Sequence, residues 1–430
     1  MYRWNVLVIL SCLSVFVLGL TAGSRRNDAT EAPTGFTTPT LSENPGSQST
    51  GNGYAGVTAG ETFGGDQAVF EEEDGVDKGL GPVYNARGCS DCHQDPVTGG
   101  VSQVSELRAG HYDFSLNFVN PTITINDGLN TISGRSLIND RAVCAEAQER
   151  VPLTEYIRAL RMSLNVLGDG FVEAIDDATL QGFAAAEPGQ SGGKIKGEFI
   201  TVPLLEASGQ TRGGRFGWKD QQASLLSFAA DAYLNEQGIT TRLLTTDTTT
   251  VCKNDIGGDP EDVPDELGLA DIDHFANFIR GTNAPPVDSV IMGTSDAIAG
   301  QALFTSIGCS VCHVTSITTA PSGTLINGGT YSIPDAIGNK IIHPYSDFLL
   351  HNIATGDLIV QNGPSDTSAK VRTAPLWGLR THSRLMHDGL SFSREEAILR
   401  HGGEASGVRS SYLKLTPTQQ GQLLTFLSAL

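Results

Sequence analysis

The sequence predicts a mainly α protein made of two similar domains, the first enlarged by a long insertion that contains a small β element. Three observations predict this. The pattern Cys-x-x-Cys-His occurs twice, as Cys89-Ser90-Asp91-Cys92-His93 and as Cys309-Ser310-Val311-Cys312-His313. Helical segments bracket the second copy. Gly300-Gln301-Ala302-Leu303-Phe304 runs into it, and Thr416-Pro417-Thr418-Gln419 opens a closing helix with an N-cap, a Pro at the first helical position and a capping-box Gln. Leu423, Leu424, Leu427 and Leu430 line one face of that helix. The closing pattern also occurs earlier, as Phe275-Ala276-Asn277-Phe278-Ile279-Arg280 before a Pro285-Pro286 break.

These marks divide the chain. Residues 1–23 read as a signal peptide: a short basic start at Arg3, an apolar run from Val6 to Leu20, then small residues. The run is short for a membrane span, so no span is expected after cleavage, although an uncleaved anchor is the alternative. Cys12 lies inside the run. Residues 24–60 are rich in Ser, Thr, Gly, Asn and Pro and read as a flexible linker. The first domain is 61–286 and the second 287–430. Residues 112–260 hold the insertion, in which Lys194 to Leu205 alternates like a strand and Gly213-Gly214 suggests a turn.

Net charge is −20 over 430 residues. Such a surface repels phosphate backbones, so nucleic acid is not an expected partner. A basic redox partner is compatible with it, and so is plain solubility. Hydrophobic content of 39% with 50 glycines is low for aliphatic packing, and a large apolar prosthetic group could supply the missing core.

The Cys-x-x-Cys-His pattern is the attachment signature of c-type haem. Two thioethers fix the porphyrin edge and the adjacent His turns onto the iron. Two copies predict two covalently bound haems, on Cys89 and Cys92 with His93 as ligand and on Cys309 and Cys312 with His313. A helix before the motif and another closing the domain is the arrangement of cytochrome c folds. Cys144 and Cys252 are left over. In an oxidising compartment they pair, closing a loop of about a hundred residues worth roughly 4–5 kcal/mol, the alternative being two buried thiols.

Further motifs carry a family resemblance. Arg372-Thr373-Ala374-Pro375-Leu376-Trp377-Gly378-Leu379-Arg380, Met386-His387-Asp388-Gly389 and Ala397-Ile398-Leu399-Arg400-His401-Gly402-Gly403-Glu404-Ala405 stand in the C-terminal third. With Phe216-Gly217-Trp218-Lys219 and His343-Pro344-Tyr345-Ser346-Asp347-Phe348, the chain from about residue 60 onward resembles the di-haem oxidoreductases, relatives of the bacterial di-haem cytochrome c peroxidases and of MauG. In the peroxidases the second haem's distal ligand, usually Met, follows a loop His by fourteen residues. Counting from His387 gives His401, so the resemblance implies a bis-His site, His313 with His401. Exchanging Met for His lowers the iron's potential.

The resemblance also implies a reactive first haem. Its proximal ligand is His93, and His111, after Gly110, stands near the place of a displaceable distal His; a solvent-facing loop His is the alternative. Trp218 matches an inter-haem Trp, with Leu225 and Asn235 in register. Glu236 lies within two positions of a distal acid, while Phe228 occupies the place of a distal Gln. A buried carboxylate can move the proton that peroxide cleavage needs. Arg372 and Arg380 are candidates to pair haem propionates. His351 and His387 match His positions of the related enzymes and are either neighbours of a haem or structural; His274 and His382 read as structural.

The implied function is a periplasmic or otherwise exported di-haem oxidoreductase, peroxidase-like, exchanging electrons with a redox protein and acting on hydrogen peroxide or another small oxidant. A bis-His electron carrier without catalysis and a MauG-like oxidase of a partner protein are the alternatives.

Overall fold

The computed structural model describes residues 28–36, 61–126, 131–253 and 262–430. Residues 1–23, expected as the signal peptide, lie outside them. Among the described residues no helix is long and apolar enough to cross a membrane.

The expectation of a mainly α chain is corrected: 33% of the described residues are helix and 16% are strand, spread over several small sheets. The long helices gather around the two motifs, and much of the chain between them satisfies its backbone groups in short ladders and turns. The largest sheet sets Ser105–Tyr112 antiparallel to Ile157–Met162, with Gly110 opposite Ile157 and Ser105 opposite Met162. Strand period two turns Leu107 and Ala109 toward Ile123, Ile125 and Ile138. Glu106 and Arg108 therefore share the other face. Of the alternating stretch from Lys194 to Leu205, only Thr201–Pro203 is strand, paired with Thr211–Gly213.

The same helical frame surrounds each motif. Phe63–Glu71 starts at Thr62, whose hydroxyl caps Gly65 N at 3.1 Å, and packs on Asp271–Gly281. Phe70 stands 4.6 Å from Phe278 and 6.4 Å from His93, ring centre to ring centre. In the second frame Ser295–Ser306 packs on Pro417–Ala429; Phe304 stands 5.4 Å from Phe426 and 6.1 Å from His313. The expected capping box is present at Thr416 and Gln419. Gly300 marks the helix crossing. A Cβ there would stand 2.1 Å from the Gln422 carbonyl oxygen, so only glycine permits this approach.

Part of the segment expected as linker is not free. Thr30–Glu31 run parallel to Lys340 and Ile341, and Thr34 bridges Ala284. The edge of the Lys340–Ile342 strand offers unpaired backbone groups, and an extended segment of any polar composition can take them. Cys144 and Cys252 are brought to bonding distance, their Cα atoms 6.4 Å apart.

Glu173 is a fully buried carboxylate. Its carboxylate takes Arg280 Nε at 2.7 Å and Nη2 at 3.0 Å, Leu225 N at 2.9 Å and Asn327 Nδ2 at 3.0 Å. Arg212 reinforces the knot by donating to Asn327 Oδ1 at 2.7 Å and to the Glu173 carbonyl at 2.6 Å. One carboxylate thus joins the Asp271–Gly281 helix, the start of the Leu225–Gln237 helix and the Asn327 turn. Burial alone would raise its pKa; Arg280 and the other donors outweigh that and hold it below the usual carboxylate range.

Breaking a buried pair leaves an uncompensated charge. Glu173→Gln is expected to lower stability by about 3–5 kcal/mol at neutral pH, read from the denaturant midpoint. A folded pKa below the unfolded value gives stability that is present above the unfolded pKa and lost as pH falls through the folded one. The wild type should therefore lose part of its advantage over E173Q on acidification. An unchanged midpoint at neutral pH would show that the knot is dispensable.

Candidate functional site

The second Cys-x-x-Cys-His opens on a cavity of 250 Å³. That is several times the roughly 30 Å³ a water occupies. Cys309, Cys312, His313 and His401 line it, with Phe304, Leu379, Leu423 and Leu427 as apolar wall. His313 Nδ1 donates to the Tyr345 carbonyl at 2.9 Å, and His401 Nδ1 to the Ala397 carbonyl at 2.7 Å. Since a carbonyl only accepts, both Nδ1 atoms carry the proton and both Nε2 atoms are available as donors to a metal. The rings stand 6.4 Å apart between centres. A metal–imidazole bond is about 2 Å and a ring nitrogen lies about 1 Å from its ring centre, so two imidazoles on opposite faces of one ion have centres roughly 6 Å apart.

The electrostatics agree with that spacing. Burial, and then the neighbouring His401, push His313 down to about 4. Burial also lowers His401. Both rings are neutral at physiological pH, as ligation requires. Burial raises all four motif thiols, Cys312 to about 11.

The cavity also collects buried polar atoms that have no hydrogen-bond partner among the described residues. Arg372 Nη1, Arg394 Nε and His387 Nδ1 belong to residues of its lining. Arg372 is anchored by Nε on the Gly217 carbonyl at 2.7 Å, which leaves Nη1 for an anionic group in the cavity. Arg384 and Arg409 add positive charge to the same wall. Arg380, by contrast, is not part of the lining; it donates to the Pro286 carbonyl and lies over Phe36. A haem with its propionates fits the donor set of the second motif. The chain would hold it by Cys309, Cys312, His313 and His401, with Arg372 and Arg394 toward its carboxylates.

The first motif is surrounded differently. His93 Nδ1 donates to the Gly100 carbonyl at 3.3 Å, and the Leu164 backbone is its other polar contact. His111 sits on the Ser105–Tyr112 strand, 2.7 Å from Glu155 Oε2, and none of its contacts is to His93. Instead, acidic groups gather beside the motif. Gln237, at the end of the Leu225–Gln237 helix, places its amide 3.9 Å from Cys89 Sγ. Glu236, one residue earlier, accepts from Asn85 Nδ2 at 2.8 Å and shares a hydrogen bond with Glu106. Glu106 is clamped by Arg108, Nε at 2.5 Å and Nη2 at 2.9 Å, and stands directly opposite Arg161 in the sheet. Burial, and then the Glu106 charge, push the Glu236 carboxyl well up; Glu106, against its own burial, is held down by Arg108 and Arg161.

Trp218 lines the cavity at the second motif. Its Nε1 donates to the Met162 carbonyl at 2.8 Å, its ring meets the edge of His387, and it lines the cavity with Leu164, the residue whose backbone contacts His93. Phe228 stacks on Phe216 in the core. His274 is paired with Asp66 at 2.6 Å, as a structural His would be. His382, also read as structural, lines the cavity. No local signal marks Glu106, Arg108, Arg394 or Arg409; Glu106 alternates with Arg108 on a strand and finds Glu236 only through the fold.

Residues 143–430 match the family described as "Di-haem oxidoreductase, putative peroxidase". The match spans more than half of the chain, which belongs to this family. It contains the second Cys-x-x-Cys-His and begins downstream of the first, a shorter reach than the motifs from about residue 60 suggest. Among curated proteins none matches the sequence. A structure of hydrazine synthase from Kuenenia stuttgartiensis, pressurised with 20 bar of xenon, is similar at 11% identity, covering 89% of this chain and 97% of that one, with a TM-score of 0.34.

The facing imidazoles generate a test. His401→Gly should turn the second site's ferric signal from low-spin to high-spin. His401→Met should keep it low-spin and raise its midpoint potential by on the order of 100 mV. A spectrum indifferent to both substitutions would remove His401 from the site.

Proposed function

We propose that this member of the di-haem oxidoreductase family is an exported c-type oxidoreductase of the peroxidase kind. Haem is covalently held at both motifs; electrons enter at the second site and peroxide is reduced at the first. The 6.4 Å spacing of His313 and His401 carries the division of labour. A haem at the second motif would be held by His313 and His401 together, which would leave peroxide no place there. His93 has no facing imidazole among its contacts, and the residues beside its motif are instead a proton-sharing acid pair. The apolar run of residues 1–23 supports export, and the charge of −20 suits a basic redox partner.

When bound, the haems supply one-electron transfer and the redox chemistry of O–O cleavage. Reduction of hydrogen peroxide to two waters takes two electrons and two protons. The electrons come from the redox partner. Glu106, ionised beside Arg108, takes the proton of one peroxide oxygen and gives it back as that oxygen is reduced to water. Glu236, which holds a proton, delivers one to the oxygen that leaves, and solvent supplies the other. Asn85 holds the Glu236 carboxyl in place. Trp218, fixed on the Met162 carbonyl, offers a short route from the second cavity to the Leu164 backbone beside His93. Arg161 and Arg108 keep Glu106 ionised while its neighbour is not.

Glu236→Gln keeps the hydrogen bonding and removes the proton donor. Peroxide turnover should fall by about 10²–10⁴-fold while the second site's spectrum stays unchanged. Wild-type turnover should persist above the ordinary carboxylate range and decline as pH rises through the raised pKa of the pair, where the shared proton is lost. Full turnover in E236Q, or an alkaline limb unmoved by it, would show that Glu236 is not the donor.

A further inference from the structure

Glu187, from the Asp177–Ser191 helix, meets Asp347 and His351 in the interior, with side-chain exposures of 1, 0 and 2%. His351 Nε2 lies 3.0 Å from Asp347 Oδ2 and 3.7 Å from Glu187 Oε1. On the other side of the ring, Nδ1 lies 3.1 Å from Glu404 Oε2. Glu404 also accepts from Lys196 N and Asn352 N, which fixes it as an ionised acceptor. Asp347 Oδ1 accepts from Leu349 N, and Glu187 Oε2 from Gly197 N. Glu187 Oε1 receives no N–H or hydroxyl donor among the described residues, its carboxyl lying against that of Asp347. Asp220 and Arg372 act on the same region. Four carboxylates thus face one guanidinium and one imidazole.

This is how a metal-binding histidine is usually held. A carboxylate fixes the proton on one ring nitrogen, and the other nitrogen points at further ligands. An ion with bonds of about 2.1 Å places tetrahedral ligand atoms roughly 3.4 Å apart. The observed separations of 3.0 and 3.7 Å bracket that value. Cys312 Sγ stands 3.9 Å from Nδ1, on the Glu404 side, and is not one of the ligands.

We propose that Glu187 Oε1, Asp347 Oδ2 and His351 Nε2 form a binding site for a divalent first-row cation, zinc by its one-nitrogen, two-oxygen donor set. Binding exchanges the Nε2 proton, and any proton shared by the two acids, for the cation. The ion ties the Asp177–Ser191 helix to the Asp347–His351 segment that packs against Cys312. The site is independent of the haem ligands, so its failure would leave the redox reading untouched.

Elemental analysis of the purified, haem-loaded full chain should find about one zinc, or another divalent metal, per chain beyond the haem iron. After chelator treatment, calorimetry should show Zn²⁺ rebinding, roughly tenfold weaker or worse in Glu187→Gln and in Asp347→Asn. Unchanged haem spectra in both variants would establish that they fold. No metal as purified together with no uptake of Zn²⁺ would overturn the site. So would Zn²⁺ affinity equal in all three proteins, or a protonated carboxyl band in the infrared spectrum that disappears in E187Q.

Discussion

The Glu173–Arg280 ion pair is the interaction on which the architecture around the first motif depends. A carboxylate with no exposure is tolerable only when every oxygen is used, and here a guanidinium, a helix-terminal N–H and an Asn amide use them. Each donor belongs to a different part of the fold. Arg280 fixes the Asp271–Gly281 helix, whose Phe278 backs Phe70 and, through it, His93. Leu225 N fixes the start of the Leu225–Gln237 helix, whose far end carries Glu236 and Gln237 to the motif cysteines. The acid beside the first motif is held in place from three turns away.

Two frames built alike support unlike sites. In each, a phenylalanine of the helix before the motif stands against the motif histidine and is backed by a phenylalanine of a closing helix. The difference arises beyond the frame. At the second motif the Arg394–Arg400 helix ends at His401 and aims a neutral imidazole at His313. At the first, a sheet face contributes Glu106 and Arg108, and a helix end contributes Glu236. One arrangement sets two imidazoles face to face at a spacing that suits one ion between them; the other sets a proton-sharing acid pair beside the motif. A low aliphatic content is consistent with cavities lined for an apolar prosthetic group.

Sequence patterns carried the parts of this that are local. The Cys-x-x-Cys-His pairs and the capping box at Thr416 are short-range signals, and short-range backbone geometry fixes them; the step from His387 to His401 came from the family resemblance instead. The sheet content was not legible. The Ser105–Tyr112 strand pairs with residues about fifty positions away, and its charged alternation looks like a solvated segment until Glu236 is seen to face it. His111 shows the same limit from the other side. Its distance from the motif along the chain suggested a ligand, and what fixes its ring is strand pairing and Glu155 on Nδ1, neither of which a local pattern announces. Arg372 and Arg380 look equivalent in sequence, and only packing places the first on the cavity wall and the second off it.

The division of labour between the two sites is tested most directly by electron paramagnetic resonance of the protein in the fully ferric and half-reduced states, before and after addition of hydrogen peroxide. The account predicts that the second site remains low-spin in every ferric state, with peroxide altering only the signal of the first. A second-site signal that turns high-spin or changes with peroxide, or two signals that both ignore it, would contradict the account.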